Sequence, residues 1–251
     1  MAETILVTGA SAGFGQAICQ RLVADGHRVI GAARRIEKLQ ALHKELGEAF
    51  YPLQMDVTDL TQVDQALSSL PKAWEQIDVL VNNAGLALGL APAQKAEIAD
   101  WLTMIQTNII GLTYLTRQIL PRMVERNEGY VINMGSTAGT VPYPGANVYG
   151  ASKSFVKQFS LNLRADLAGK QIRVTNIEPG LCEGTEFSSV RFKGDEKRVE
   201  ALYRDAHAIQ PEDIANTVSW LIQQPKHVNV NRIEIMPVSQ TFGPQPVYRG
   251  D

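Results

Sequence analysis

Hydrophobic and polar positions along the chain fall into two alternating patterns. Short apolar, β-branched runs recur at Thr4–Thr8, Arg28–Ala32, Phe50–Met55, Val79–Val81, Tyr130–Met134, Arg173–Ile177 and Arg232–Met236, and each predicts a strand. Several are apolar almost throughout, as parallel strands covered on both faces are. Between them, apolar residues recur every three to four positions in Gly15–Asp25, Glu37–Leu46, Thr61–Leu70, Ile98–Arg126, Val148–Ala168 and Pro211–Gln223, which predicts amphipathic helices. Strict alternation of the two patterns implies right-handed crossovers and an α/β fold with one doubly wound parallel sheet. The stretch from Gly180 to about Arg204 is charged and weakly periodic, and is expected to be an irregular loop beside the site. Ligands of such sheets sit outside the carboxyl ends of the strands. Every chemical motif in this chain falls there or on the helix that follows.

Composition narrows the picture further. A chain of 251 residues, 45% of them apolar, is read as a single domain over 1–251, with a loop at 180–204 and a polar tail at 239–251. A formal net charge of -2 gives no reason to expect nucleic acid or an anionic membrane as partner. No apolar run approaches the roughly 20 residues that a membrane-crossing helix needs. The first strand begins at Thr4, which leaves no room for a signal peptide. The two cysteines, Cys19 and Cys182, form no disulfide framework, and the four histidines show no metal-ligand spacing. A cytoplasmic protein without a metal is expected.

The first strand runs into Thr8-Gly9-Ala10-Ser11-Ala12-Gly13-Phe14-Gly15, and a helix follows. Gly9 and Gly13 permit a tight turn and close approach of backbone to a pyrophosphate, and Gly15 lets the helix pack on the strand. With Ser11 and Phe14 between them, these residues form the expected dinucleotide cradle. The spacing Gly-x-x-x-Gly-x-Gly resembles that of the short-chain dehydrogenase/reductase family. Further matches follow in order: Asn82-Asn83-Ala84-Gly85, Asn108, Ser136, Tyr149-Gly-Ala-Ser-Lys153 and Pro179-Gly180. The resemblance implies a Rossmann-type fold, a nicotinamide cofactor and hydride transfer. It also implies that Asn83, Ala84, Gly85, Asp56, Val57, Pro179, Gly180 and Thr185 contact the cofactor, and that the chain forms a homotetramer. Trp101, Leu102, Phe155 and Phe159 are then candidates for the subunit interface, with the tail crossing to a neighbouring subunit. Asp56 has a second reading as a helix N-cap before Thr58.

The second strand ends Ala32-Ala33-Arg34-Arg35, and the first acid after it is Glu37. An acid about 20 residues beyond the glycines accepts the ribose hydroxyls of NAD. An arginine pair in its place can grip a 2′-phosphate by charge-assisted bonds, so NADP (NADPH) is the expected cofactor.

Tyr149 and Lys153 are four positions apart and share one face of a helix. A tyrosine has a pKa of about 10. An ammonium about 4 Å away stabilises phenolate by up to about 4 kcal/mol at an effective dielectric near 20. Tyr149 is therefore the candidate general acid/base, tuned downward by Lys153. Ser136 is the candidate donor to the substrate oxygen. The resemblance adds that Lys153 bonds the nicotinamide ribose and that Asn108 anchors a water in a proton relay. Ser152 is read as packing, and Cys182 likewise, its thiol raised by adjacent Glu183.

The segment Thr137–Asn147 joins the serine to the catalytic helix and must line the substrate pocket, with Tyr143 as its wall. Beyond Thr185 come Arg191 and Lys193, either of which could hold a carboxylate or sulfonate while an aldehyde faces Tyr149. Alternatively both are solvated, or pair with Glu186 and Asp195. The loop and the segment Met236–Gln240 resemble the NADP-dependent 3-hydroxy acid (serine) dehydrogenase subgroup. That resemblance implies a small, anionic ω-oxo acid or its hydroxy acid as substrate. A sulfonate aldehyde such as sulfoacetaldehyde, a neutral carbonyl, and a non-enzymatic NADP-sensing role stay open at this point.

Overall fold

The computed structural model describes residues 2–243. Its strands are β1 (Thr4–Thr8), β2 (Arg28–Ala33), β3 (Phe50–Gln54), β4 (Val79–Asn82), β5 (Gly129–Met134), β6 (Ile172–Pro179) and β7 (Arg232–Ile235). They form a parallel sheet in the order β3-β2-β1-β4-β5-β6-β7. The order reverses between β1 and β4, and this switch point opens a crevice at the strand ends. Helices α1 (Gly13–Ala24), α2 (Ile36–Leu46), α3 (Leu60–Ser68), α4 (Ile98–Ile105), α5 (Leu112–Arg126), α6 (Asn147–Asp166), α7 (Phe187–Arg191), α8 (Glu196–Tyr203) and α9 (Pro211–Gln223) surround it. The doubly wound α/β reading of the sequence holds.

Alternate side chains of β1–β6 enter two cores. Ile5, Val7, Val29, Val79, Val81 and Ile132 pack on one face with α1, α2 and α9. Leu6, Ile30, Leu80, Val131 and Val174 pack on the other with α3, α5 and α6. Because β1, β2, β4 and β5 fill both cores, their sequences are almost continuously apolar. A polar row crosses the sheet where the site begins. Asn82 pairs in register with Asn133, and Asn133 with Asn176. The Asn82 amide donates to Asn133 Oδ1 at 2.8 Å, and that of Asn133 donates to Ser160 Oγ at 2.9 Å. The Asn176 amide donates to Glu178 Oε1 at 2.7 Å, while its Oδ1 is buried without a partner, so hydrogen bonds tie the row together at Asn82 and Asn133.

Two segments depart from the sequence reading. The span Ile98–Arg126, expected as one uniform helix, contains a wide π-type turn at Gln106–Gly111. There Gly111 packs on Val57, so closely that a Cβ would lie 2.6 Å from the Val57 carbonyl oxygen. An extra residue in a turn disturbs periodicity too briefly to be read in sequence. The stretch 180–204 is not irregular throughout but holds α7 and α8, the second capped by the Asp195 side chain accepting from Arg198 N. Helices of five and eight residues are too short to establish a period. The tail expected at a neighbouring subunit lies outside the described residues from 244 onward. Among the described residues, no helix is long and apolar enough to cross a membrane.

Candidate active site

The cofactor cradle is built at the end of β1. Gly9 (φ 69°) and Gly13 (φ 52°) take left-handed backbone conformations, which favour glycine. A Cβ on Gly15 would stand 2.2 Å from the Gly9 carbonyl oxygen, so no side chain fits between turn and helix. The α1 N-cap, Ala12, supplies no side-chain cap, so the first-turn N–H groups lack a partner within the chain there. Asn83 braces the turn: its side-chain amide donates to the Thr8 carbonyl at 2.8 Å. The Thr8 hydroxyl in turn accepts from the backbone N–H of Asn83 (3.0 Å) and Ala84 (2.9 Å). A cradle that any Cβ would fill, ending in free helix N–H groups, fits a dinucleotide pyrophosphate.

The groove is lined by Ser11 and Phe14 at the turn, by Arg34, Arg35, Asp56 and Val57 on the β2 side, and by Gly85, Pro179, Gly180 and Thr185 on the other. Asp56 does not cap α3; Asp59 does, accepting from Gln62 N at 3.0 Å. Asp56 instead folds its own loop, its carboxylate accepting from Thr58 N (2.9 Å) and Thr58 Oγ1 (2.7 Å). Thr185 lies over the glycine turn, where a Cβ on Gly13 would meet it at 3.0 Å.

At the far end of the groove, α6 presents Tyr149 and Lys153 from one face, only 7% and 6% exposed. The Lys153 ammonium donates to the Met134 carbonyl at 2.8 Å. A Cβ on Gly85 would lie 3.3 Å from Lys153 Nζ and 3.2 Å from Asn108 Oδ1, so the loop passes in close contact with both. Burial drops the Lys153 pKa to about 8. Burial also pushes the Tyr149 hydroxyl up to about 12, against a smaller lowering by Ser136. This corrects the expectation that lysine tunes the tyrosine downward. The ammonium is 5.9 Å from the centre of the Tyr149 ring, and burial is the largest influence on the hydroxyl.

Ser136 follows β5, its hydroxyl accepting from Ala138 N at 3.1 Å and donating to the Pro179 carbonyl at 3.4 Å. Asn108, in the wide turn, accepts from Leu86 N at 2.9 Å. It donates to the Leu86 carbonyl at 2.9 Å and to Ser152 Oγ at 3.0 Å. Ser152 therefore does more than pack: it ties the wide turn to the catalytic helix, also donating to the Tyr149 carbonyl at 2.7 Å.

The substrate end is closed by α7. Phe187 leans on Tyr149 with ring centres 5.7 Å apart. Arg191 donates to the Tyr143 hydroxyl at 2.8 Å, and its guanidinium lies 5.5 Å from the centre of the Tyr149 ring. Lys193, the other candidate anion ligand, is not brought to this group. Its ammonium pairs with Asp100 of α4 at 2.9 Å, with over half of the side chain exposed. Neither cation pairs with Glu186 or Asp195. Glu183 is turned away as well, accepting from the Gln210 amide at 2.6 Å. Burial and then Asp213, rather than Glu183, push the Cys182 thiol up to about 12.

Phe187 and Glu186 line the groove and Lys38 pairs with Glu186 at its rim, places that the sequence did not assign to them. Lys38 lies in the first turn of α2, three residues beyond Arg35, and its closeness to the arginine pair could have drawn attention to it. Phe187 and Glu186 reach the site only through the path of the loop. Trp101, expected at a subunit interface, is partly buried and packs against the cluster of Ala87, Met104, Ala138 and Tyr149.

A doubly wound sheet whose switch-point groove joins a glycine cradle to Ser136 and the buried Tyr149 and Lys153 defines a dinucleotide-dependent oxidoreductase. The chain belongs to the short chain dehydrogenase family, which it matches over residues 3–196. It is 59% identical over 239 residues to a probable NADP-dependent dehydrogenase of Haemophilus influenzae, covering 95% of each chain. It is 58% identical over 245 residues to the NADP-dependent 3-hydroxy acid dehydrogenase YdfG of Salmonella typhi, covering 98% of this chain and 99% of that one. Among solved structures, the closed form of a serine dehydrogenase complexed with NADP+ superposes with a TM-score of 0.97 at 55% identity. That match covers 98% of this chain and 100% of the other.

Proposed function

We propose that this protein interconverts a small ω-oxo acid (a semialdehyde) and the corresponding hydroxy acid. The enzyme is an NADP-dependent oxidoreductase, in line with relatives named NADP-dependent dehydrogenases and 3-hydroxy acid dehydrogenases. The observation that carries the substrate assignment is Arg191, held by Tyr143 with its guanidinium beside the Tyr149 ring. A carboxylate held by that guanidinium is anchored on the tyrosine's side of the pocket, as a short oxo acid presenting its carbonyl to Tyr149 requires. Lys193 is left out of the substrate site because Asp100 already holds its ammonium.

NADPH, when bound, supplies the hydride to the carbonyl carbon. The remaining requirement is a proton on the carbonyl oxygen, and Tyr149, kept protonated by burial, donates it. Ser136 holds that oxygen and polarises the bond. Lys153, with a pKa near 8, restores the tyrosine proton, and Asn108 fixes the turn through which the relay reaches solvent. Gly9, Ser11, Gly13, Phe14 and Gly15 cradle the pyrophosphate, and Arg34 and Arg35 take the 2′-phosphate. Asp56, Val57, Asn83, Ala84 and Gly85 flank the adenosine and ribose, while Pro179, Gly180 and Thr185 border the carboxamide. One domain thereby holds both cofactor and substrate.

The deciding experiment is NADPH oxidation, followed by absorbance, against malonic semialdehyde, sulfoacetaldehyde and an uncharged aldehyde of similar size. Preference for malonic semialdehyde supports the reading. Preference for the sulfonate moves the substrate class while keeping Arg191 as its ligand, and equal turnover of the neutral aldehyde removes the anion site.

Exposed Ile98 and Leu102 on α4, with Phe155 on α6 stacked on Phe159, support assembly through that face into a homotetramer. Free Cys19 and Cys182 agree with a reducing, cytoplasmic setting. Sedimentation giving a monomer at micromolar concentration would remove the assembly.

A further inference from the structure

Arg35, just beyond β2, and Lys38 in the first turn of α2 are already engaged by an anion of the protein itself. Glu186 lies next to Thr185, whose side chain packs over the glycine turn. From there its carboxylate accepts from Arg35 Nη1 at 3.1 Å and Arg35 Nη2 at 2.8 Å, a bidentate fork. It also accepts from Lys38 Nζ at 2.8 Å. Ser11 takes up most of the rest of the guanidinium, accepting from Nε at 3.2 Å and Nη2 at 3.0 Å. The bonds to Arg35 and Lys38 hold the Glu186 carboxyl down at about 2, so it is anionic at any working pH.

A 2′-phosphate arriving at the same arginine needs the fork that Glu186 occupies. A guanidinium has five N–H donors, and here those of the outer edge go to Glu186 and those of the inner edge to Ser11. Carboxylate and phosphate cannot both take the outer edge, and placing them side by side on two cations adds like-charge repulsion. We propose that Glu186 is a specificity-determining residue for the cofactor: it competes with the 2′-phosphate for Arg35 and Lys38, and so limits the preference for the phosphorylated dinucleotide. The proposal rests on the assignment of Arg35 to that phosphate. A dinucleotide without the phosphate leaves the Glu186 contacts in place, so Arg35 and Lys38 stay neutralised and its binding is indifferent to Glu186. The competitor is borne by the same loop that carries Arg191, so cofactor choice and the anchoring of the substrate end share one segment.

The test uses calorimetric titration with adenosine 2′,5′-bisphosphate and 5′-AMP, two fragments that carry no nicotinamide. Wild type, Glu186→Gln, Arg35→Ala and the double variant are compared. Exposed ion pairs contribute up to about 1 kcal/mol, so Glu186→Gln is expected to bind the bisphosphate about fivefold more tightly and AMP unchanged. In the Arg35→Ala background the gain should shrink, because the competition is for that side chain. Unchanged or weaker bisphosphate binding by Glu186→Gln, with Arg35→Ala still weakening it, overturns the competition alone. If Arg35→Ala leaves bisphosphate affinity intact, the phosphate site itself is misplaced, and the proposal falls with it.

Discussion

The guanidinium of Arg191 donates to the Tyr143 hydroxyl at 2.8 Å while lying 5.5 Å from the centre of the Tyr149 ring. A fixed cation is thereby set beside the proton donor by a residue of the loop and one of the segment before the catalytic helix. Loss of a charged hydrogen bond costs about 1.5–3 kcal/mol, so Arg191→Ala should raise KM for a carboxylate-bearing aldehyde about 10- to 100-fold. Lys193→Ala should leave that KM within about twofold, since an exposed ion pair contributes little. Steady-state kinetics on both variants decides between the two cations.

Tyr149→Phe should lower the reduction rate by roughly 10²- to 10⁴-fold, the contribution of a positioned proton donor. The NADPH dissociation constant, measured by fluorescence, should barely move. Retained turnover would remove Tyr149 from the chemistry.

The pH profile follows from the two buried groups. Tyr149, at about 12, stays protonated throughout the accessible range, whereas Lys153 loses its proton as pH rises through about 8. The kcat/KM for carbonyl reduction is expected to be flat below about pH 8 and to fall tenfold per pH unit above it. A fall beginning only near pH 10 would mean that burial does not depress Lys153.

The same lysine should be a stability liability. A group lowered from 10.5 to about 8 on folding opposes folding below pH 8 by up to about 3 kcal/mol. Between pH 8 and 10.5 the unfolded chain binds the extra proton, so the penalty shrinks as pH rises. Lys153→Met is accordingly expected to raise Tm at pH 7 and to lose that advantage by about pH 10, while abolishing activity. Equal Tm differences at both pH values would count against this account.

Gly15→Ala should fold yet bind NADPH at least about tenfold more weakly. The added Cβ meets backbone at 2.2 Å, so the turn itself must shift. Titration calorimetry beside a circular dichroism spectrum separates lost binding from lost fold.

Much of this enzyme is written in local sequence. Continuous apolar runs predict strands buried on both faces, because each strand of β1–β6 feeds two cores. Gly9, Gly13 and Gly15 announce a turn because their requirement is backbone geometry within a few residues. Tyr149 and Lys153 announce one helical face because helix spacing is fixed. Short-range rules determine these features, so the sequence suffices for them.

Tertiary structure decided what depends on partners far along the chain. Lys193 is withdrawn from the substrate because Asp100 of α4 is folded against it. Glu186 meets Arg35 across 151 positions, a distance at which no periodicity carries information. The direction of the Tyr149 pKa was also invisible, since burial is the sum of neighbours such as Phe187, Ala138 and Met104 gathered from separate elements. Charge and hydration depend on what surrounds a group in space, and only the packed fold sets that environment.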